Sequence, residues 1–150
     1  MARFRYKMQS ILNIKLSIEA QKKIAYTLVQ IELNEAEEKL NSIETEKLNY
    51  QEELRDLMGR KLDILEMKRC SSAIKTLENL IDIQLNCIEK IKVRLEKSRV
   101  ELNKAMIERK THEKLRENAF QEFLIEVEKD EKKAVDELIS YKYNGSNGDK

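Results

Sequence analysis

Apolar residues recur along this chain at alternating steps of three and four, and the pattern scarcely stops between Phe4 and Tyr143. Such spacing lines one stripe of an α-helix, so each run predicts a helix that buries a narrow seam against another helix. One run reads Met67, Cys70, Ile74, Leu77, Ile81, Gln84, Ile88, Ile91 and Leu95. It continues through Ser98, Leu102, Ala105, Arg109, His112, Arg116 and Ala119 to Phe123. An earlier run reads Phe4, Met8, Ile11, Lys15, Ile18, Lys22, Ala25 and Val29, then Leu33, Ala36, Leu40, Ile43, Lys47, Tyr50, Leu54 and Leu57. Sustained a and d positions of this kind mark a coiled coil. Between Ala25 and Ala36 the steps run four, four and three, a local period that relaxes a left-handed supercoil. Lys15, Lys22 and Lys47 fall on the seam, where their stems cover apolar surface while the ammonium groups reach water.

The two runs are separated after Leu57 and Met58. Gly59 suits the left-handed conformation that ends a helix, and Arg60 and Lys61 suit a helix C-terminus. Asp63 followed three positions later by Glu66 is a capping-box pattern for the next helix, with Ser71-Ser72 a weaker rival start. The fold class is therefore all-α: a long antiparallel two-helix coiled-coil hairpin, with helix 1 over about 5–58, a turn over about 59–63 and helix 2 over about 64–140. Folding about residue 61 sets position i opposite about 122 minus i, with arms of about 80 Å and about 115 Å. The end of helix 2 then outruns helix 1, carrying Phe120, Phe123, Leu124, Val127, Val135, Leu138 and Ile139. Apolar side chains with no partner of their own call for an external one. Residues 1–143 form a single hairpin on this reading, and the small polar residues 144–150 a disordered tail.

Composition sharpens the picture. The 150 residues include no proline and three glycines, so little interrupts a helical backbone. Charged residues make up 38% and aromatic residues 5%, which leaves too little apolar bulk for a thick core. The net charge of +1 comes from 29 basic and 28 acidic residues that are interleaved, not gathered into the stripe a nucleic-acid binder needs. No apolar run is long enough to span a bilayer. The basic start, Met1 to Lys7, lacks the apolar segment of a signal peptide. A soluble cytoplasmic protein is expected.

Candidate chemistry is sparse. Cys70 and Cys87 have no histidine or third cysteine near them, so reduced, half-buried side chains are expected. His112 is the sole histidine, which removes any paired-histidine zinc motif. Carboxylate pairs such as Glu37-Glu38 and Glu52-Glu53 read as solvated helix faces. No catalytic residue, cofactor or metal is expected, and the chain reads as a non-enzyme. One stretch is unusual: Glu108 to Arg116 puts Arg109, His112 and Arg116 on successive seam positions while Ile107 and Leu115 open a second apolar stripe. Either the coiled coil ends there and its seam turns polar, or the stretch addresses an acidic partner.

The order of segments also resembles a known family. The opening Phe4-Arg5-Tyr6-x-Met8-x-x-Ile11-Leu12-x-x-Lys15 is similar to that of the FliJ family of flagellar export proteins. So are Met58-Gly59, the segment Ile74 to Ile81, the late Glu108-Arg109-Lys110-x-x-Glu113-Lys114-Leu115, and the ending Asp130-Glu131-Lys132-Lys133-x-x-Asp136-Glu137. The resemblance covers nearly the whole chain, in order. It implies a non-enzymatic, stalk-like coiled coil of the type III export apparatus, at the inner face of the cell membrane at the flagellar base. Its implied partners are the hexameric export ATPase and its regulator, the export-gate membrane protein and export chaperones, with consequences for flagellum assembly, motility and chemotaxis. By resemblance, Ile43, Tyr50, Leu77, Leu80 and Gln84 near the turn meet the gate, with Glu46 and Ala73 where relatives can carry aromatics. The end bearing the termini enters the ATPase ring, with Arg109, Arg116, Phe120, Phe123, Leu124 and Val127 as contacts.

Two rivals remain open on the residues alone. A parallel homodimeric scaffold would use Gly59 as a joint, whereas the hairpin is expected to be a monomer when isolated. A secretion chaperone of an unrelated system would hold exported clients on its apolar stripes.

Overall fold

The computed structural model describes residues 2–60 and 63–147, and holds two helices, α1 (Gln9–Met58) and α2 (Ile64–Asn147). The two helices pack against each other as a helical hairpin, with no strand among the described residues. The break falls where the heptad runs separate.

Each boundary has a local cause. α1 begins at Gln9 and not near residue 5, where Arg5 and Lys7 would oppose the positive end of a helix dipole. Residues 2–8 instead form a non-helical lead-in, tied by the Gln9 amide to the Tyr6 carbonyl (3.2 Å). At the other end of α1, the Gly59 amide is shared between the carbonyls of Arg55 (3.3 Å) and Asp56 (3.2 Å). No glycine among the described residues has a positive φ, so the expected left-handed glycine is not what stops the helix. The last turn tightens instead, with the Arg60 amide on the Leu57 carbonyl (3.4 Å). Asp63 then caps α2, its Oδ1 accepting from the amides of Leu65 (3.2 Å) and Glu66 (3.4 Å). The helix runs past the expected end near residue 140 as far as Asn147, taking residues 144–147 of the expected tail into helix. Residues 148–150, and Lys61 and Leu62 of the turn, lie outside the described residues.

The contacts divide the chain into two compact units. In the unit Ala20–Asn103 the centre is Leu33, Ala36, Ile88 and Ile91, flanked by Val29, Leu40 and Leu95. Cys70 and Leu77 are buried further along the same seam. Lys22 meets Glu101 (3.1 Å) and Lys47 meets Glu78 (3.5 Å), so early residues face late ones and the helices are antiparallel. Both pairings lie within about one turn of the expected register.

In the unit Met1–Glu19 with Lys104–Lys150, the buried apolar residues are Leu12 and Ala105. Lys15 meets Glu108 at 3.0 Å, again antiparallel.

The seam of α2 follows the expected run closely: from Met67 to His112 every one of its positions is buried or half-buried. Arg116 departs from it and is exposed. On α1 the phase differs. Met8 and Ala25 are exposed, while Leu12, Glu19 and Tyr26 turn inward. The inward series Leu12, Lys15, Glu19, Lys22, Tyr26, Val29, Leu33, Ala36 alternates three and four without a break, so the relaxed period expected between Ala25 and Ala36 is absent.

Candidate partner-binding surfaces

Near the turn, the expected gate-side residues fall into two groups. Leu77 and Gln84 are buried, and Ile43 and Tyr50 are half-buried in the seam. Leu80, at 42% exposure, is the one open to a partner. Gln84 has a structural task of its own: its Nε2 donates to the Ala36 carbonyl at 2.9 Å. A buried amide with a single acceptor across the seam fixes the register of the two helices. Cys70 is fully buried, which pushes its thiol above its ordinary range, helped by the nearby Glu53 charge. That makes Cys70 an inert core residue, while Cys87 is exposed.

In the terminal unit the expected contacts are partly consumed by the protein itself. Arg109 does not face outward. Its Nε and Nη2 fork onto the two carboxylate oxygens of Glu19, and Nη1 donates to Glu113 at 2.9 Å. Those hydrogen bonds, Glu19 first, hold the guanidinium even more firmly charged than usual. One helical turn away, the bond from Lys15, and then its charge, holds the Glu108 carboxyl below its usual 4.5. Lys104 and His112 add smaller effects of the same sign, and partial burial opposes them. His112 Nδ1 and the Tyr6 hydroxyl are buried without a hydrogen-bond partner.

Phe120 and Phe123 are not bare either. The ring of Phe4 sits 5.1 Å from Phe120, edge to face, and 5.4 Å from Phe123. The Arg116 guanidinium lies 5.9 Å over the same Phe4 ring. The lead-in thus folds onto α2 and covers part of the surface expected to be open. The expected register sets Phe4 opposite about residue 118, close to this contact, but as part of a helix and not of a non-helical lead-in.

Beyond Phe123 the cover ends. Val127 is half-buried, and every residue from Glu128 to Ser146 is exposed. Leu124, Ile125, Val135, Leu138 (63% exposed) and Ile139 (61%) are apolar side chains on this open stretch. A second exposed set lies on the outer side of α2, where Ile107, Lys110, Thr111, Lys114 and Leu115 line a shallow groove. In the other unit, Ala20, Lys23, Ile24, Thr27 and Leu28 line a comparable groove on α1.

No group of three or more potential ligands for a metal ion occurs among the described residues. No helix among them is long and apolar enough to cross a membrane.

Two long paired helices with exposed apolar side chains define an all-α hairpin of the coiled-coil type. Its sequence matches the family described as Flagellar FliJ protein over residues 4–148, nearly the full chain, and the protein belongs to that family. Membership makes it a component of flagellar protein export. Neither the curated proteins nor the solved structures include a significant match.

Proposed function

We propose that this protein is a non-enzymatic stalk of the flagellar type III export apparatus. It docks with its terminal end in the ring of the export ATPase and its regulator. It links that ring to the export-gate membrane protein through the region near the turn, and it handles export chaperones. On this reading it works in the cytoplasm, held peripherally at the inner face of the cell membrane at the flagellar base, and flagellum assembly, motility and chemotaxis depend on it.

The observation that supports docking is the open apolar stretch of α2 after Phe123. Apolar side chains repeated along a helix that lacks an internal cover gain most when a partner buries them, at about 25 cal/mol per Å². The packing of Phe4 moves the docking surface outward, from Phe120 and Phe123 toward Leu124, Val127, Leu138 and Ile139. Arg116 stays accessible at its edge, whereas Arg109 is spent on Glu19 and Glu113. Near the turn, Leu80 is the side chain offered to the gate, with Ile43 and Tyr50 at the margin.

The test is ATPase stimulation. Purified protein is mixed with the cognate export ATPase, and the variant Leu138→Ser with Ile139→Ser is compared at equal helicity. Both positions are exposed, so the substitution leaves the hairpin intact and is expected to abolish most of the stimulation. Equal stimulation by the variant and the parent would remove the far end of α2 from the mechanism.

A further inference from the structure

The outer side of α2 between residues 104 and 115 carries a surface that the proposed function does not use. Lys104, Ile107, Lys110, Thr111, Lys114 and Leu115 recur at helical spacing, and all six are exposed. Ile107 is 62% exposed and Leu115 47%. Thr111 donates its hydroxyl to the Ile107 carbonyl at 2.8 Å, so it asks nothing polar of a partner.

Charge is one-sided on this face. The neighbouring carboxylates are engaged elsewhere: Glu108 by Lys15 and Glu113 by Arg109. Glu117 reaches Lys114 at 3.4 Å, an exposed pair of small worth. Lys104 and Lys110 make no ion pair among the described residues. Aliphatic side chains flanked by these two ammonium groups and by the weakly paired Lys114 favour a partner that brings carboxylates and apolar side chains on the same period.

We propose that this face of α2 is a docking groove for an acidic amphipathic helix of another protein. Leucine-like side chains at helical spacing fill the groove between Ile107 and Leu115, while flanking carboxylates meet Lys104, Lys110 and Lys114. A membrane surface fits less well. Two aliphatic side chains without an aromatic anchor give little to insert into lipid, whereas a partner helix needs only a narrow stripe. The second exposed groove, at Ala20, Ile24 and Leu28, provides an internal comparison because it is apolar but carries Lys23 as its one lysine.

The experiment titrates the full-length protein into a labelled synthetic helix bearing leucines at three- and four-residue spacing and glutamates at its flanks, read by fluorescence anisotropy. A peptide of the same composition with scrambled leucine positions is the first control. Binding is expected to weaken about tenfold or more in the triple variant Lys104→Glu, Lys110→Glu, Lys114→Glu, and severalfold in Ile107→Ser. It should also fall between about 50 mM and about 500 mM salt. Ile24→Ser should leave it unchanged. Equal binding by the triple variant, by Ile107→Ser or by the scrambled peptide overturns the proposal. So does stronger, lysine-dependent binding to vesicles of anionic phospholipid than to the peptide, which would make the face a membrane contact. None of these readouts involves the export ATPase, so they stand or fall independently of stalk docking.

Discussion

Between Ala20 and Asn103 the two helices meet through the cluster of Leu33, Ala36, Ile88 and Ile91 with ion pairs beside it, whereas the unit of Met1–Glu19 and Lys104–Lys150 buries Leu12 and Ala105 and adds three phenylalanines to its ion pairs. Both units carry cross-helix ion pairs, so what separates them is that the first adds a buried aliphatic cluster and the second adds aromatic geometry. Aliphatic burial stabilises without regard to direction. Forked pairs such as Arg109 on Glu19, and edge-to-face rings such as Phe4 on Phe120, work only in one register. The unit that carries the open apolar end of α2 is thus the one with the smaller buried aliphatic core.

The largest test of this contrast lies in the aliphatic unit. Ile91 is buried to within 4% of its surface and sits in the central cluster. Truncation as Ile91→Ala should cost about 3 kcal/mol, from lost transfer energy and a cavity that a two-helix layer closes only in part. Val93, two residues on, is 70% exposed, and Val93→Ala should cost less than about 0.5 kcal/mol. Urea unfolding followed by helicity checks both, and similar losses for the two variants would deny that the seam carries the stability.

The Lys15–Glu108 pair should give the terminal unit a pH response. Glu108 has a carboxyl held below its usual 4.5 when folded, so its pairing with Lys15 stabilises fully above that value. The contribution is lost as pH falls below 4.5 and through the depressed folded value. Lowering the pH from about 5.5 to about 3.5 should therefore reduce the urea midpoint of the parent more than that of Glu108→Gln. Glu96 is a useful control. Its carboxyl is also depressed, by a hydrogen bond from Arg99, but that partner is one turn away on the same helix. Glu96→Gln should retain the acid response of the parent, since an exposed pair within one helix adds little to the pairing of two. High salt should shrink the Glu108 effect, because both partners are partly solvated. An unchanged acid response in Glu108→Gln would show that this pair does not hold the terminal unit.

Much of this was legible in the residues. The α2 seam, the hairpin fold and the helix boundaries at Met58 and Ile64 follow from periodicity and from Asp63 as a cap. What escaped begins with the phase of α1. The run that begins at Phe4 takes Ile18 and Ala25 as seam positions and so passes over their neighbours Glu19 and Tyr26, although it admits Lys15, Lys22 and Tyr50. In the folded protein Glu19 is neutralised by Arg109 from the opposite helix, so the seam keeps its phase through a charged position. Arg109 falls on the seam of α2 and, by resemblance, is expected as a partner contact; its fork onto Glu19 belongs to the seam position. Phe4 heads the expected seam run of helix 1, yet Arg5 and Lys7 oppose a helix N-terminus there and residues 2–8 are non-helical. The expected register already sets Phe4 opposite about residue 118, and the non-helical lead-in brings its ring onto Phe120 and Phe123.

The turn between the helices offers the smallest effect and the sharpest one. Gly59 seemed to earn its place through a left-handed conformation, but its φ is not positive. A Cβ added there would lie 3.6 Å from the Asp56 carbonyl oxygen and 3.9 Å from that of Arg55, which is ordinary contact. Alanine therefore meets neither strain nor a clash. It also removes freedom from the unfolded chain, so Gly59→Ala should stabilise by about 0.4–1 kcal/mol. A left-handed glycine predicts the opposite sign, because alanine would then be forced into a conformation it avoids. The direction of the shift in the urea midpoint thus decides between two ways of ending α1. Destabilisation by Gly59→Ala would mean that the residue ends the helix by turning left-handed in solution, and that the tightened last turn is not its working conformation.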